Sequence, residues 1–248
     1  MGQRSRKLAA TGALPAGRQV SEQLLLAVSE QMKLPFLQIA RAAEYGQLQQ
    51  STETLPDIQT TADAAIRLLD NYLFGARLGL EEQYALELEP VSVSSVLYDA
   101  GQELDQLAKL YGVELELNVA GKFGTVMANR QALQSALISL GYTLIEALPS
   151  LQTKDHKLQL AAHRCRYGIV AGMYSSVEQL TADALRAGRK LHGHIRQPLA
   201  TLTHSSGAGV FVADTILQAM DSELTPTRHH RLFGLGTVLK PNHQIQLV

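Results

Sequence analysis

Gly207 and Gly209 stand one residue apart at the head of an apolar run, Gly207 to Met220, that reads as a helix. Backbone N–H groups at such a turn can receive an anion, although a tight turn into a packed helix uses the same spacing. Just before it, the stretch from Glu178 to Thr203 carries Arg186, Arg189, Lys190, His192, His194 and Arg196. Such a basic set is either a solvated face or a contact for an anion or acidic partner. His192-x-His194 and His229-His230 offer imidazoles, but neither lies in an HExxH or cysteine-rich setting. No metal is therefore expected, and these histidines are expected at the surface. Cys165, between Arg164 and Arg166, would be an acidified thiol if exposed. The alternation around it reads as a strand, so the expectation is a buried small hydrophobe. No Gly-x-Ser-x-Gly elbow or Walker loop is present.

Composition narrows the classes. The 248 residues suit one large or two small domains, and 46% hydrophobic with 18% charged residues is an ordinary globular mixture. Trp is absent and aromatics are 5%, so the core must rest on Leu, Val, Ile and Ala. A net charge of −1 gives no global case for nucleic acid. One cysteine excludes an internal disulfide and a cysteine-rich zinc site, and fits a reducing cytoplasm. No apolar run approaches the ~20 residues of a membrane span, so no membrane insertion is expected. Residues 1–18 hold Arg4, Arg6, Lys7 and Arg18 and no acid, and read as a basic flexible tail.

The elements that must position these groups follow from periodicity. Leu25, Val28, Met32, Phe36, Ile39 and Ala43 recur at three- and four-residue steps, which predicts a helix over about 20–49 with a kink at Pro35. A short polar link leads to a second helix ending near Leu80, with the stripe Ile58, Ala62, Ala65, Leu69, Leu73 and Ala76. A single hairpin cannot cover both stripes, and pairing with a second copy would give a four-helix bundle. Beyond a boundary in 81–91, the pattern predicts a short strand near Pro90, a helix from Ser94 or Ser95 to Leu110, and strands over 113–117 and 126–127. It continues with a helix from Asn129 to Leu148, strands over 158–163 and 167–173, and a closing hairpin over 232–248. The class is α+β, with mostly antiparallel strands.

The segment Ala27-Val28-Ser29-Glu30-Gln31-Met32-Lys33-Leu34-Pro35-Phe36 resembles the phosphoacceptor box of sensor histidine kinases, Ser-His-Glu-Leu-Lys/Arg-Thr-Pro-Leu. Ser29, Lys33 and Pro35 are in register, while Glu30 stands where the phosphorylated histidine belongs. A carboxylate does not form a stable phosphoramidate, and none of the eight histidines falls in the hairpin. Leu34 stands where the family's phosphatase reaction uses Thr or Asn. The element order from Glu89 onward is similar to the family's GHKL-type ATP-binding α/β sandwich. The resemblance thus covers about 20–248 and divides the chain into a tail (1–18), a dimerisation hairpin (19–82) and an ATPase-like domain (83–248).

Within that resemblance each nucleotide motif is altered. Ser139 and Thr143 occupy the N-box asparagine positions; a hydroxyl is a weak magnesium ligand, and both can instead bond to their own helix. Val170-Ala171-Gly172-Met173-Tyr174 matches Asp-x-Gly-x-Gly with only Gly172 kept. Val170 cannot accept from an adenine amino group, and Tyr174 brings a ring where backbone should approach. Gly207 and Gly209 are what remains of the phosphate loop. The implied function is a degenerate, pseudokinase-like signalling protein of two-component type, cytoplasmic and dimeric. It would dock a response-regulator receiver domain or another histidine kinase through Ser29, Glu30, Lys33, Leu34, Phe36 and Arg77. No cofactor is expected. The alternatives are a divergent kinase or phosphatase that keeps weak ATP–magnesium binding, and a phosphotransfer-type scaffold.

Overall fold

The computed structural model describes residues 16–80, 86–119, 121–151, 156–191 and 207–242. The basic N-terminal segment up to residue 15 lies outside the described residues, as do His192, His194, Arg196 and His243.

Two long helices come first. α1 (Ala16–Gln49) begins before the apolar pattern does and continues through Pro35. α2 (Leu55–Leu80) returns antiparallel to it. In the link, the Ser51 N–H donates to the Gly46 carbonyl at 3.0 Å and the Glu53 N–H donates to Ser51 Oγ at 3.2 Å. A Cβ on Gly46 would lie 2.6 Å from Thr54 Oγ1, so glycine lets the helices converge there.

The faces these helices bury differ from the expected stripes. On α2 the buried line is Thr61, Ala65, Leu68, Tyr72 and Gly75, at steps of three and four. Of the stripe read from apolar residues, only Ala65 is fully buried, and Leu73 is 57% exposed. On α1, Ala27, Gln31, Met32 and Pro35 are buried while Leu25 and Phe36 face outward. The shift arises because polar-tipped residues share the packed line. Thr61 satisfies its hydroxyl on the Asp57 carbonyl at 2.8 Å, and the Tyr72 hydroxyl donates to Gln31 Oε1.

The remainder is a sheet under a helical layer. β1 (Glu89–Val91) pairs with β3 (Val126–Ala128) as a small antiparallel ribbon. Between them run α3 (Val93–Leu110) and β2 (Glu114–Asn118). α4 (Arg130–Ala147) is buried along nearly its whole length. Its N-terminus is capped by Asn129, which accepts from the Ala132 N–H at 2.9 Å. β4 (Lys157–Cys165), β5 (Gly168–Ser175), α5 (Glu178–Leu191), α6 (Ala208–Gln218), β6 (Thr225–His229) and β7 (Leu232–Leu239) complete the chain. The main sheet has the order β2-β4-β5-β7-β6, with β2 parallel to β4 and every other pair antiparallel. α4 packs on α3 and α6 and covers the sheet face carrying Leu160, Ala171 and Met173. α2 crosses α6, where a Cβ on Gly75 would come within 2.7 Å of Val212.

The α+β expectation holds, with two corrections of detail. A hairpin β6–β7 spans 225–239, because Thr225-Pro226-Thr227-Arg228-His229 forms an edge strand in which proline is tolerated; residues 243–248 of the expected closing hairpin lie outside the described residues. The basic stretch after β5 is also more than a solvated face. Its first half is α5, which buries Leu180, Ala184 and Ala187 at helical spacing while Arg186 stays outside, paired with Asp183 at 2.8 Å. Among the described residues no helix is long and apolar enough to cross a membrane.

Candidate functional site

On the hairpin, Ser29, Lys33 and Phe36 are exposed, Leu34 is half-buried and Pro35 is buried. Ser29 turns its hydroxyl back onto the Leu25 carbonyl at 2.7 Å. The backbone of Glu30 lies in α1, and its side chain is outside what is described. The Gln31–Tyr72 contact sets the register of α1 against α2 and puts exposed Arg77, five residues past Tyr72, at the same end of the hairpin.

The other expected site residues fall into two groups on opposite sides of the sheet. Ser139 and Thr143 lie fully buried on α4, and Thr143 donates to the Ser139 carbonyl at 3.3 Å. Directly against them stands Gly209, where a Cβ would overlap both the Ser139 carbonyl oxygen and the Thr143 hydroxyl. Gly207 has a positive φ of 69°, and a Cβ there would lie 2.6 Å from the Ala187 backbone on α5. Gly188 completes the contact, since its Cβ would meet Val210 at 2.5 Å. The Gly-x-Gly pair therefore serves a three-helix close approach of α4, α5 and α6. Against the sheet this layer leaves a void of about 10 Å³ lined by Leu137, Leu140, Ala171, Ala213 and Thr237, roughly one water's worth at most.

Val170, Gly172 and Tyr174 sit inside β5, hydrogen-bonded to β4 on one side and β7 on the other. Strand alternation turns them to the face opposite Ala171 and Met173, away from Ser139 and Thr143. Gly172 lies between Ala161 and Gly236, and a Cβ on it would be 2.5 Å from the Leu235 carbonyl oxygen. Tyr174 is fully buried over Gly234, and burial pushes its pKa up to about 12 against the opposing effect of Thr227. The seven positions do not form one site.

Two features had no counterpart in the expected motifs. A cavity of about 650 Å³ opens between α5 and the β6–β7 hairpin, lined by Thr181, Leu185, Arg186, Arg228 and Phe233 among others. None of the seven positions lines it. The second is a polar seam between the hairpin and α4. Tyr72 donates to Gln31, and Gln31 lies beside Glu146 on the last turn of α4. Burial pushes the Glu146 carboxyl up to about 7, with neighbouring Gln31 acting the other way. Tyr111 and Tyr142 flank it with pKa values raised by burial first and by the Glu146 charge among lesser causes. The signals were present as Gln31 and Gln38, seven residues apart on α1, and as a lone acid in Leu144-Ile145-Glu146-Ala147-Leu148.

No protein-family model and no curated protein matches the sequence. Solved structures do match the coordinates. The Acinetobacter baumannii histidine kinase AdeS aligns over 85% of this chain and 96% of its own, with 11% identity and a TM-score of 0.51. The chain has the histidine-kinase fold. A histidine kinase from Burkholderia phymatum aligns over 93% of this chain and 100% of its own at 14% identity and a TM-score of 0.45. A bacterial phosphotransferase aligns over 91% and 98% at 11% identity and a TM-score of 0.46. A histidine-kinase fold implies ATP with magnesium between the N-box helix and the glycine loop. Here the first turn of α6 is seated on Ser139 and Thr143 of α4.

Proposed function

We propose that this chain is a degenerate, histidine-kinase-fold signalling protein of two-component type that works by pairing and docking, without phosphoryl transfer from ATP. The observation that supports this reading is the seating of Gly209 on Ser139 and Thr143, which brings the backbone of the glycine pair hard against α4. The replacement of the phosphoacceptor by Glu30 agrees with it.

Pairing is supported by the faces the hairpin leaves open. Leu25 and Phe36 on α1, and Leu55, Ile66 and Leu73 on α2, are all more than half exposed. The three on α2 recur in line along the helix, beside half-buried Ala62 and Leu69. A monomer rarely exposes so continuous an apolar stripe, and a second hairpin would cover it as a four-helix bundle. Docking of a receiver domain, or of another kinase's hairpin, would use Ser29, Glu30, Lys33, Leu34, Phe36 and Arg77, which mix charge with an exposed aromatic ring.

Capture of a panel of receiver domains by the wild type and by a Glu30→Arg, Lys33→Glu variant tests the surface. Loss of capture in the variant is expected, and equal capture overturns it. Calorimetry with magnesium-ATP tests the other half: binding tighter than about 1 mM, roughly −4 kcal/mol, contradicts the non-catalytic reading.

A further inference from the structure

On the sheet face turned away from α4, His163 of β4 and His229 of β6 meet across the two strands between them. Between them β5 and β7 present Gly172, Gly234 and Gly236 on that face, and both rings stand against the Tyr174 ring. His229, expected at the surface, is 5% exposed, and its close neighbours are His163 and Tyr174 as well as His230.

The two Nδ1 atoms are 3.3 Å apart. The ring centroids are 5.1 Å apart and the planes are inclined by 29°. The centroids are thus farther apart than the two Nδ1 atoms, so these nitrogens are the near edges of the two rings. Two imidazoles on one tetrahedral ion, each at about 2.0–2.1 Å, would place their nitrogens about 3.3 Å and their ring centres about 5.2 Å apart. Both distances here match. Burial foremost, then the neighbouring His230, lowers the pKa of both rings, which favours the neutral form that ligates.

We propose that His163 and His229 form a binding site for a borderline divalent cation of the zinc class, clipping β4 to the edge strand β6. Among the described residues no cluster of three His, Cys, Asp or Glu side chains exists to close the site, so the ion keeps positions for water or an external ligand. Without metal, one Nδ1–H donates to the other Nδ1. Metal binding then requires that ring to carry its proton on Nε2 instead.

The test is titration of the full chain with Zn2+ by calorimetry and with Co2+ by visible absorption. One ion per chain at a micromolar dissociation constant, tetrahedral Co2+ bands and a raised melting temperature are expected. His163→Gln, at a partly exposed position, should weaken binding at least about tenfold. His229→Gln should do the same, with circular dichroism checking that this buried variant folds. Nitrogen-15 NMR should show one of the two rings moving its proton from Nδ1 to Nε2 on adding Zn2+. No binding tighter than about 1 mM overturns the site. So does undiminished binding in His163→Gln, which would put the ion on other histidines.

Discussion

Glu146 on α4 lies beside Gln31 on α1 at the junction between the sandwich and the hairpin, which puts a buried carboxyl where the two meet. Its pKa in the folded chain, about 7, lies above the ordinary value of 4.5, so the folded state binds the proton more tightly than the unfolded state does. The sign follows from linkage. The stabilisation is fully present below pH 4.5 and is lost as pH rises through 7, a change on the order of 3 kcal/mol. Urea unfolding should give a less stable protein at pH 8 than at pH 5. Glu146→Gln, which keeps a hydrogen-bonding side chain and removes the titration, should flatten that difference and be the more stable protein at pH 8. Identical pH profiles for the two would disprove the assignment.

Tyr72 holds the other side of the same seam. Tyr72→Phe removes the hydroxyl that donates to Gln31 Oε1 in a buried setting, and should cost about 1–2 kcal/mol of stability. Adding Gln31→Leu should recover part of that loss, because it removes the acceptor that Tyr72→Phe leaves without its donor. Chemical denaturation of the single and double variants measures both, and a Tyr72→Phe protein as stable as the wild type refutes the seam.

Gly209→Ala tests the closed layer. The added methyl would run into backbone on α4, so α6 must shift, at a cost of about 1–3 kcal/mol. A loop open to solvent would accept the same change with little effect. Thermal melts of Gly209→Ala against Gly124→Ala, a comparison at an exposed position with open space around it, separate the two; an unchanged melting temperature for Gly209→Ala argues for an open phosphate loop.

Ile66→Glu with Leu73→Glu should convert dimers to monomers while leaving the helical content intact, since both side chains are 57% exposed in the single chain. Sedimentation equilibrium reads the outcome. A wild type that is monomeric at high micromolar concentration removes the bundle.

Most elements were legible because periods of two and 3.6 are one-dimensional signals, and the lines Leu133–Leu137–Leu140 and Leu158–Leu160 carry them cleanly. α5 was overlooked because two of its three buried apolar positions, Ala184 and Ala187 beside Leu180, are small and lie among Arg and Lys. The hairpin faces were misjudged where Gln31, Thr61 and Tyr72 take packed positions, the Thr61 hydroxyl bonded to the Asp57 carbonyl and the Tyr72 hydroxyl to Gln31 Oε1. The division of the candidate site had a different cause. Matching Val170, Gly172 and Tyr174 to a motif says nothing of which side of a strand they occupy, and a shift of one residue changes the side. The meeting of His163 with His229 depends on the arrangement of four strands in the sheet, which no local pattern encodes.

Pro226 in β6 has a consequence for how copies of this protein can meet. It lies in the last strand of the sheet, lacks an N–H, and is followed by charged Arg228. At the opposite border β2 carries Glu114 and Glu116, which engage Lys157 of the neighbouring strand. Both borders thus discourage addition of a further strand, so runaway stacking through the sheet is suppressed and self-recognition is left to the helices.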